Sequence, residues 1–351
     1  MLLLIACADP PKKVIPPVDL VASLTEPGPY RVGFLTDNVT WTDPLSGDRS
    51  LRLVVWYPTR EEAGDEVLYN GFVPAEGVLG GAVPVDGPLP VAVFSHGHRG
   101  YAENSGFLME HLASHGWLVA APDHTGNTTF DDDERRTGIY YQRPMDISAV
   151  LDWLGSIPAA HVLAGRPDGG PTLMLGHSFG GYTLLALAGA VYDGAVLDAC
   201  AADPSDGLCS DLDADSRALF DAGFLEPRIG AFIPMAAGDF GRFGAAGVEA
   251  IEAPVLMMTA TLDQPAGSET DALWAAINDG DDLGLVLEGG GHQSFTDYAD
   301  ILEEVPLAAD DGFAVVNAYA LAWGRRLRGD SAVDALLNGT TRVSDHGSLR
   351  E

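Results

Sequence analysis

The sequence predicts an α/β fold, a mostly parallel central sheet with helices on both faces, and three observations predict it. Between residues 91 and 328, short apolar runs alternate with longer stretches of helical pattern. Runs such as Val91-Ala92-Val93-Phe94 are apolar throughout, as expected for strands covered on both sides. The run at 172–175 leads straight into Gly176-His177-Ser178-Phe179-Gly180, a glycine-flanked turn that opens onto an apolar helix.

The elements follow in order. Residues 30–36 and 51–57 alternate or run apolar with β-branched and aromatic side chains before any helical pattern begins, so they read as opening antiparallel strands. A Gly- and Pro-rich loop extends through Pro90. Strand-helix units come next: 91–95 with 103–115, 117–122 with 144–154, 172–175 with 179–192, and 229–235 with a short linker. Short elements at 254–261, 273–277 and 285–288 and a last helix near 311–328 complete the run. Residues 193–228 interrupt the alternation after the elbow helix with an irregular, acidic insertion, expected to overhang the cleft as a lid or to form its walls together with the loops around Tyr101 and the 125–142 segment. Its carboxylates, Asp203, Asp206, Asp211, Asp213 and Asp215, lack the spacing of a calcium loop and read as a solvated surface. The expected organisation is a leader and tether over 1–29, one domain over 30–330, and a C-terminal tail over 331–351.

Charge narrows the partners. The chain carries 51 acidic against 19 basic side chains, a net charge of −32, and such a surface repels nucleic acid and anionic lipid headgroups. Met1 to Ala6 is purely apolar and ends at Cys7; Leu4-Ile5-Ala6-Cys7 is similar to a bacterial lipobox, whose cysteine takes a lipid. The Pro-rich, aperiodic stretch after it suits a flexible tether. These features lead us to expect an exported bacterial protein, lipid-anchored through Cys7 in the cell envelope or secreted, whose only membrane contact is that anchor. Cys200 and Cys209 lie close together in the insertion and are expected to form a disulfide in an oxidising compartment.

The chemistry starts at Ser178. A serine hydroxyl is a poor nucleophile at neutral pH, so it needs a base in hydrogen-bond reach and a third group to orient that base. Asp263 follows the strand at 254–261, and His292 follows the next strand after Gly289-Gly290-Gly291. In open α/β sheets the functional groups gather at the carboxyl ends of the strands. Ser178, Asp263 and His292 occupy those ends in the chain order expected of a Ser-Asp-His set. His96, His98 and His124 also sit at strand ends and compete for the base, whereas His111 and His115 fall on a helix and His177 is fixed beside the nucleophile, pointing elsewhere. Asp239, after the preceding strand, is the alternative acid. A tetrahedral intermediate needs hydrogen-bond donors for its oxyanion. The expected pair is the N–H of Phe179, next after the serine, and the N–H of His98, in the turn after 91–95. The set requires no cofactor and no metal.

Four segments together resemble a known family: Phe94-Ser95-His96-Gly97, the stretch from His111 to His124, Arg143-Pro144-Met145-Asp146-Ile147, and Gly176-His177-Ser178-Phe179-Gly180-Gly181. They are similar, over about residues 30–328, to the bacterial dienelactone-hydrolase-like and platelet-activating-factor-acetylhydrolase-like branch of the α/β hydrolases. The resemblance implies the α/β-hydrolase fold and a cofactor-free serine carboxylic ester hydrolase acting on a small-to-medium, lipid-like or polymeric ester. Dienelactone hydrolases carry cysteine at the elbow where this chain has Ser178, which turns the expectation away from dienelactone. In the acetylhydrolases the acid follows the earlier strand, which keeps Asp239 open. Similarity to bacterial cutinase-like polyester hydrolases rests on the elbow and the order of the three groups alone. The same groups would serve an acyltransferase. A non-catalytic surface lipoprotein on this scaffold is expected to lack one of them, and none is missing.

Overall fold

The computed structural model describes residues 19–131, 136–264, 266–277 and 280–350. Cys7 and the lipobox-like leader therefore lie outside the described residues. The strands are β1 (Arg31–Asp43), β2 (Gly47–Thr59), β3 (Asp65–Tyr69), β4 (Val73–Gly80), β5 (Val91–Ser95), β6 (Leu118–Pro122), β7 (Thr172–His177), β8 (Ile229–Met235), β9 (Leu256–Ala260), β10 (Leu283–Leu287) and β11 (Gly347–Leu349). The helices are α1 (Leu20–Thr25), α2 (Gly106–Ser114), α3 (Thr137–Gly155), α4 (Phe179–Leu187), α5 (Gly194–Ala199), α6 (Ala214–Ala222), α7 (Gly244–Val248), α8 (Gly267–Ile277), α9 (Ala299–Leu302), α10 (Ala309–Leu327) and α11 (Asp334–Leu337).

All the strands join one sheet in the order β11-β10-β9-β8-β7-β5-β6-β2-β1-β4-β3. Its centre, from β10 to β6, is parallel. Because side chains alternate across a strand, each strand feeds two cores. Leu53, Val55, Val93 and Ala120 meet α3 and α4 on one face. Val54, Trp56, Phe94 and Val119 meet α2 and α10 on the other. From β5 the chain crosses first to β6 on one side and later to β7 on the other. The loops leaving β5 and β7 therefore splay apart at a topological switch point, the place where open α/β sheets form a binding crevice.

Several elements differ from their sequence reading. The β1–β2 hairpin pairs without a break from Arg31↔Thr59 to Asp43↔Gly47, well beyond 36 and 51, because a tight turn propagates the ladder through a polar half. Asp43 holds that turn by accepting from the amides of Leu45 and Ser46. The expected loop before Pro90 contains β3 and β4, which extend the outer edge. The helix expected to begin at Pro144 begins at Thr137 and carries the proline inside. Proline leaves the carbonyl four residues earlier without its helical donor, and the Tyr182 hydroxyl supplies one, donating to the Tyr140 carbonyl at 2.9 Å.

The ends also depart from expectation. Within the expected tether, α1 is capped by Asp19 and buries Leu24 in the core on the α10 side. His111, held neutral by burial with a pKa lowered to about 4, donates to the Leu24 carbonyl at 2.9 Å. Within the expected tail, β11 pairs antiparallel with β10, and α11 buries Leu336 and Leu337. The last residues cover a sheet edge that would otherwise expose unpaired backbone groups. The 193–228 insertion is ordered too, with α5, α6 and the Cys200–Cys209 disulfide.

Candidate active site

The elbow is built by close backbone contact. A Cβ on Gly176 would stand 2.4 Å from the Gly180 carbonyl oxygen, and one on Gly180 would stand 1.9 Å from that of Ser95. Neither distance is sterically possible, so the glycines on either side of Ser178 are required for β7, β5 and α4 to pack. Ser178 itself takes φ 54° and ψ −116°, a strained conformation for a residue with a side chain. That turn stands the hydroxyl above the carboxyl end of the sheet.

Two later loops reach the hydroxyl. His292 Nε2 lies 2.9 Å from Ser178 Oγ, and His292 Nδ1 lies 3.0 Å from Asp263 Oδ1. A carboxylate only accepts, so Nδ1 carries the proton and Nε2 presents its lone pair to the serine. Asp263, buried, also accepts from the Ala266 amide at 3.0 Å, which fixes its turn. Asp239 is not the partner of His292 in this arrangement. It sits in a left-handed conformation, φ 60°, and accepts from Arg242 at 3.3 Å.

The competing histidines have other partners. His96 and His124 are fully buried, and burial lowers both pKa values well below the ordinary range, with the nearby Arg143 guanidinium acting in the same direction. His96 Nδ1 donates to the Gly97 carbonyl, while its Nε2 accepts from the His124 amide. His124 bridges Ser95 and Asp146. His177 was expected to point away, yet its ring donates from Nε2 to the His292 carbonyl at 2.9 Å. Burial lowers its pKa to about 3, so it stays neutral and clamps the loop that carries His292.

The turn after β5 closes the site. A Cβ on Gly97 would stand 3.3 Å from Ser178 Cβ, so this backbone lies directly beside the nucleophile. His98 follows it, with its ring accepting at Nδ1 from Asn127 Nδ2 at 2.7 Å. Phe179 is the first residue of α4, where amides point out of the helix end rather than into it. The two residues expected to supply oxyanion donors, His98 and Phe179, thus follow the ends of two different strands, β5 and β7.

A cleft of about 440 Å³ opens over Ser178 and His292, with Phe72, Tyr101, Phe130, Tyr298, Ile301 and Leu302 in its walls. Phe72 stacks edge-on against Phe130, and Tyr101 contacts both Phe130 and Tyr298, so the aromatic wall is continuous. The expectation that 193–228 forms a wall is not met. That segment is tied to the start of α3: Thr137 Oγ1 donates to the Leu208 carbonyl, and Asp211 accepts from the Thr137 amide. Its carboxylates serve as caps, Asp206 for the Leu208 amide and Asp213 for those of Asp215 and Ser216. Phe72, in a surface turn, and residues 298–302, which run into α9, were missed because nothing in so short a surface segment marks it as lying beside a distant strand end.

The model of the Chlorophyllase family matches residues 70–219. Platelet-activating factor acetylhydrolase of Cavia porcellus is 28% identical over 225 residues, covering 45% of this chain and 50% of that protein. The chain therefore spans about half the length of the curated relative it matches. A solved ferulic acid esterase from Streptomyces cinnamoneus superposes with a TM-score of 0.65 at 21% identity, over 93% of this chain and 99% of that one. With its sheet order and elbow, the chain has the α/β-hydrolase fold.

Proposed function

We propose that the protein is a serine carboxylic ester hydrolase working through Ser178, His292 and Asp263. The observation that carries the reading is the relay from Ser178 Oγ to His292 Nε2, 2.9 Å, and from His292 Nδ1 to Asp263 Oδ1, 3.0 Å, on the floor of an open cleft. Ser178 Oγ attacks the ester carbonyl while His292 takes its proton, and the carbonyl electron pair moves to the oxygen facing the amides of His98 and Phe179. Collapse expels the alkoxide, which takes the proton from His292 and leaves an acyl-enzyme. Water then attacks by the same route and releases the acid. Asp263 keeps the imidazole in the useful tautomer and stabilises its charged form.

The names of the similar proteins support ester hydrolysis as the reaction class. The aromatic and aliphatic cleft supports a substrate with an apolar acyl or alcohol group, small to medium, lipid-like or polymeric. The disulfide supports a location in an oxidising compartment. Ser178→Ala is expected to abolish turnover of a panel of p-nitrophenyl esters of increasing acyl length, with an unchanged circular dichroism spectrum. Retained turnover by the folded variant would place the nucleophile elsewhere.

A further inference from the structure

The segment Arg143-Pro144-Met145-Asp146 enters none of the chemistry above, yet Arg143 is fully buried beneath the two strand ends that meet at Ser178. Among the described residues, its guanidinium donates to four oxygens. Nε donates to Thr183 Oγ1 at 3.0 Å, on α4. Nη1 donates to Asn127 Oδ1 at 2.7 Å. Nη2 donates to Ser95 Oγ at 3.0 Å and to the His96 carbonyl, at the end of β5. The guanidinium carbon also stands 4.7 Å over the centroid of the Phe179 ring.

These bonds tie together the two segments that flank the reacting oxygen. One side is Ser95–His96, which leads into Gly97 and His98; the other is the start of α4, with Phe179 and, one turn on, Thr183. Asn127 extends the reach, since Arg143 holds its carbonyl and so turns its Nδ2 toward His98. The base of the cluster is anchored as well. His124 joins Ser95 to Asp146, and Asp146 accepts from Arg49 at 2.7 Å and from Trp41 Nε1 at 2.9 Å.

We propose that Arg143 is the positioning residue of the oxyanion site, fixing the spacing between the amides of His98 and Phe179. The proposal rests on the esterase reading of Ser178. Lysine would keep the charge, but a single nitrogen cannot span four oxygens in a planar fork. Oxyanion donors act on the tetrahedral state rather than on the bound ester. Their misplacement therefore lowers kcat and leaves KM nearly unchanged, a split that a purely structural arginine would not produce.

The test compares Arg143→Lys and Asn127→Ala with wild type on p-nitrophenyl acetate and on an alkyl trifluoromethyl ketone, whose adduct with Ser178 places an oxygen in the hole. Arg143→Lys is expected to lose about 100-fold in kcat, with KM within about threefold and ketone affinity reduced in parallel. Asn127→Ala is expected to lose about 10-fold with the same split. Should Arg143→Lys not fold, Asn127→Ala decides on the same two readouts. Wild-type kcat and ketone affinity in the folded variants, or a loss confined to KM, would overturn the proposal alone. A wild-type protein that neither hydrolyses the ester nor binds the ketone overturns the esterase reading and this proposal with it.

Discussion

At the scale of single residues, the choice between two carboxylates is the sharpest consequence of the geometry. Asp263 meets the imidazole, whereas Asp239 turns to Arg242. Asp263→Asn is expected to lower kcat by about 10⁴, because the amide no longer favours the useful tautomer or balances the charged ring. Asp239→Asn is expected to stay within about threefold of wild type. Steady-state kinetics of the two variants decide, and the reverse ranking would move the acid to 239. The approach of residues 178, 263 and 292 was readable because each follows a strand and strand ends converge. The roles of His177 and Arg143 were not. Their bonds depend on side-chain direction across distant loops, which no local pattern encodes.

At the scale of elements, the central strands were readable because burial on both faces leaves an unbroken apolar run. The outer strands β3, β4 and β11 and the far half of the β1–β2 hairpin were not, since an edge strand needs little apolar pattern once its neighbour supplies the ladder. Helix α2 offers a test of packing. Its Glu110 accepts from the Tyr69 hydroxyl at 2.7 Å, which in turn accepts from Trp56 Nε1. Burial raises the Glu110 pKa to about 7, prevailing over the opposing Tyr69 bond, with a smaller further rise from Asp297. Burial likewise raises Asp297 to about 6, against the bonds it accepts from the amides of Phe107 and Gly106. Both folded values exceed those of an unfolded carboxyl, so the native state binds these protons more tightly. Their contribution to stability is therefore greatest below about pH 4 and falls as pH rises through 6 to 7. Glu110→Gln keeps an acceptor for Tyr69 and removes the charge. Its melting temperature at pH 8 is expected to exceed wild type by about 2–4 °C, with little difference at pH 4.5. A lower melting temperature at pH 8 would contradict the assignment.

At the scale of the whole molecule, the net charge of −32 is expected to repel anions that approach the cleft. An anionic ester such as a nitrophenyl succinate is expected to gain several-fold in kcat/KM as salt rises from about 10 to about 200 mM. A neutral acetate ester is expected to change little, and an equal response from both would show that the field does not reach the site. The fold class was readable from the order of elements and the elbow. The cleft was readable in part: the loops around Tyr101 and over 125–142 were expected in its walls and contribute Tyr101 and Phe130, whereas Phe72 and residues 298–302, from distant stretches of chain, carry no local pattern that marks them as walls. The central claim is that Ser178 is an activated nucleophile. It is tested most directly by treating the folded protein with a fluorophosphonate and locating the adduct by peptide mass spectrometry. One adduct on Ser178, lost in Ser178→Ala and strongly slowed in His292→Ala, is the expected result; no adduct, or one on another residue, contradicts the claim.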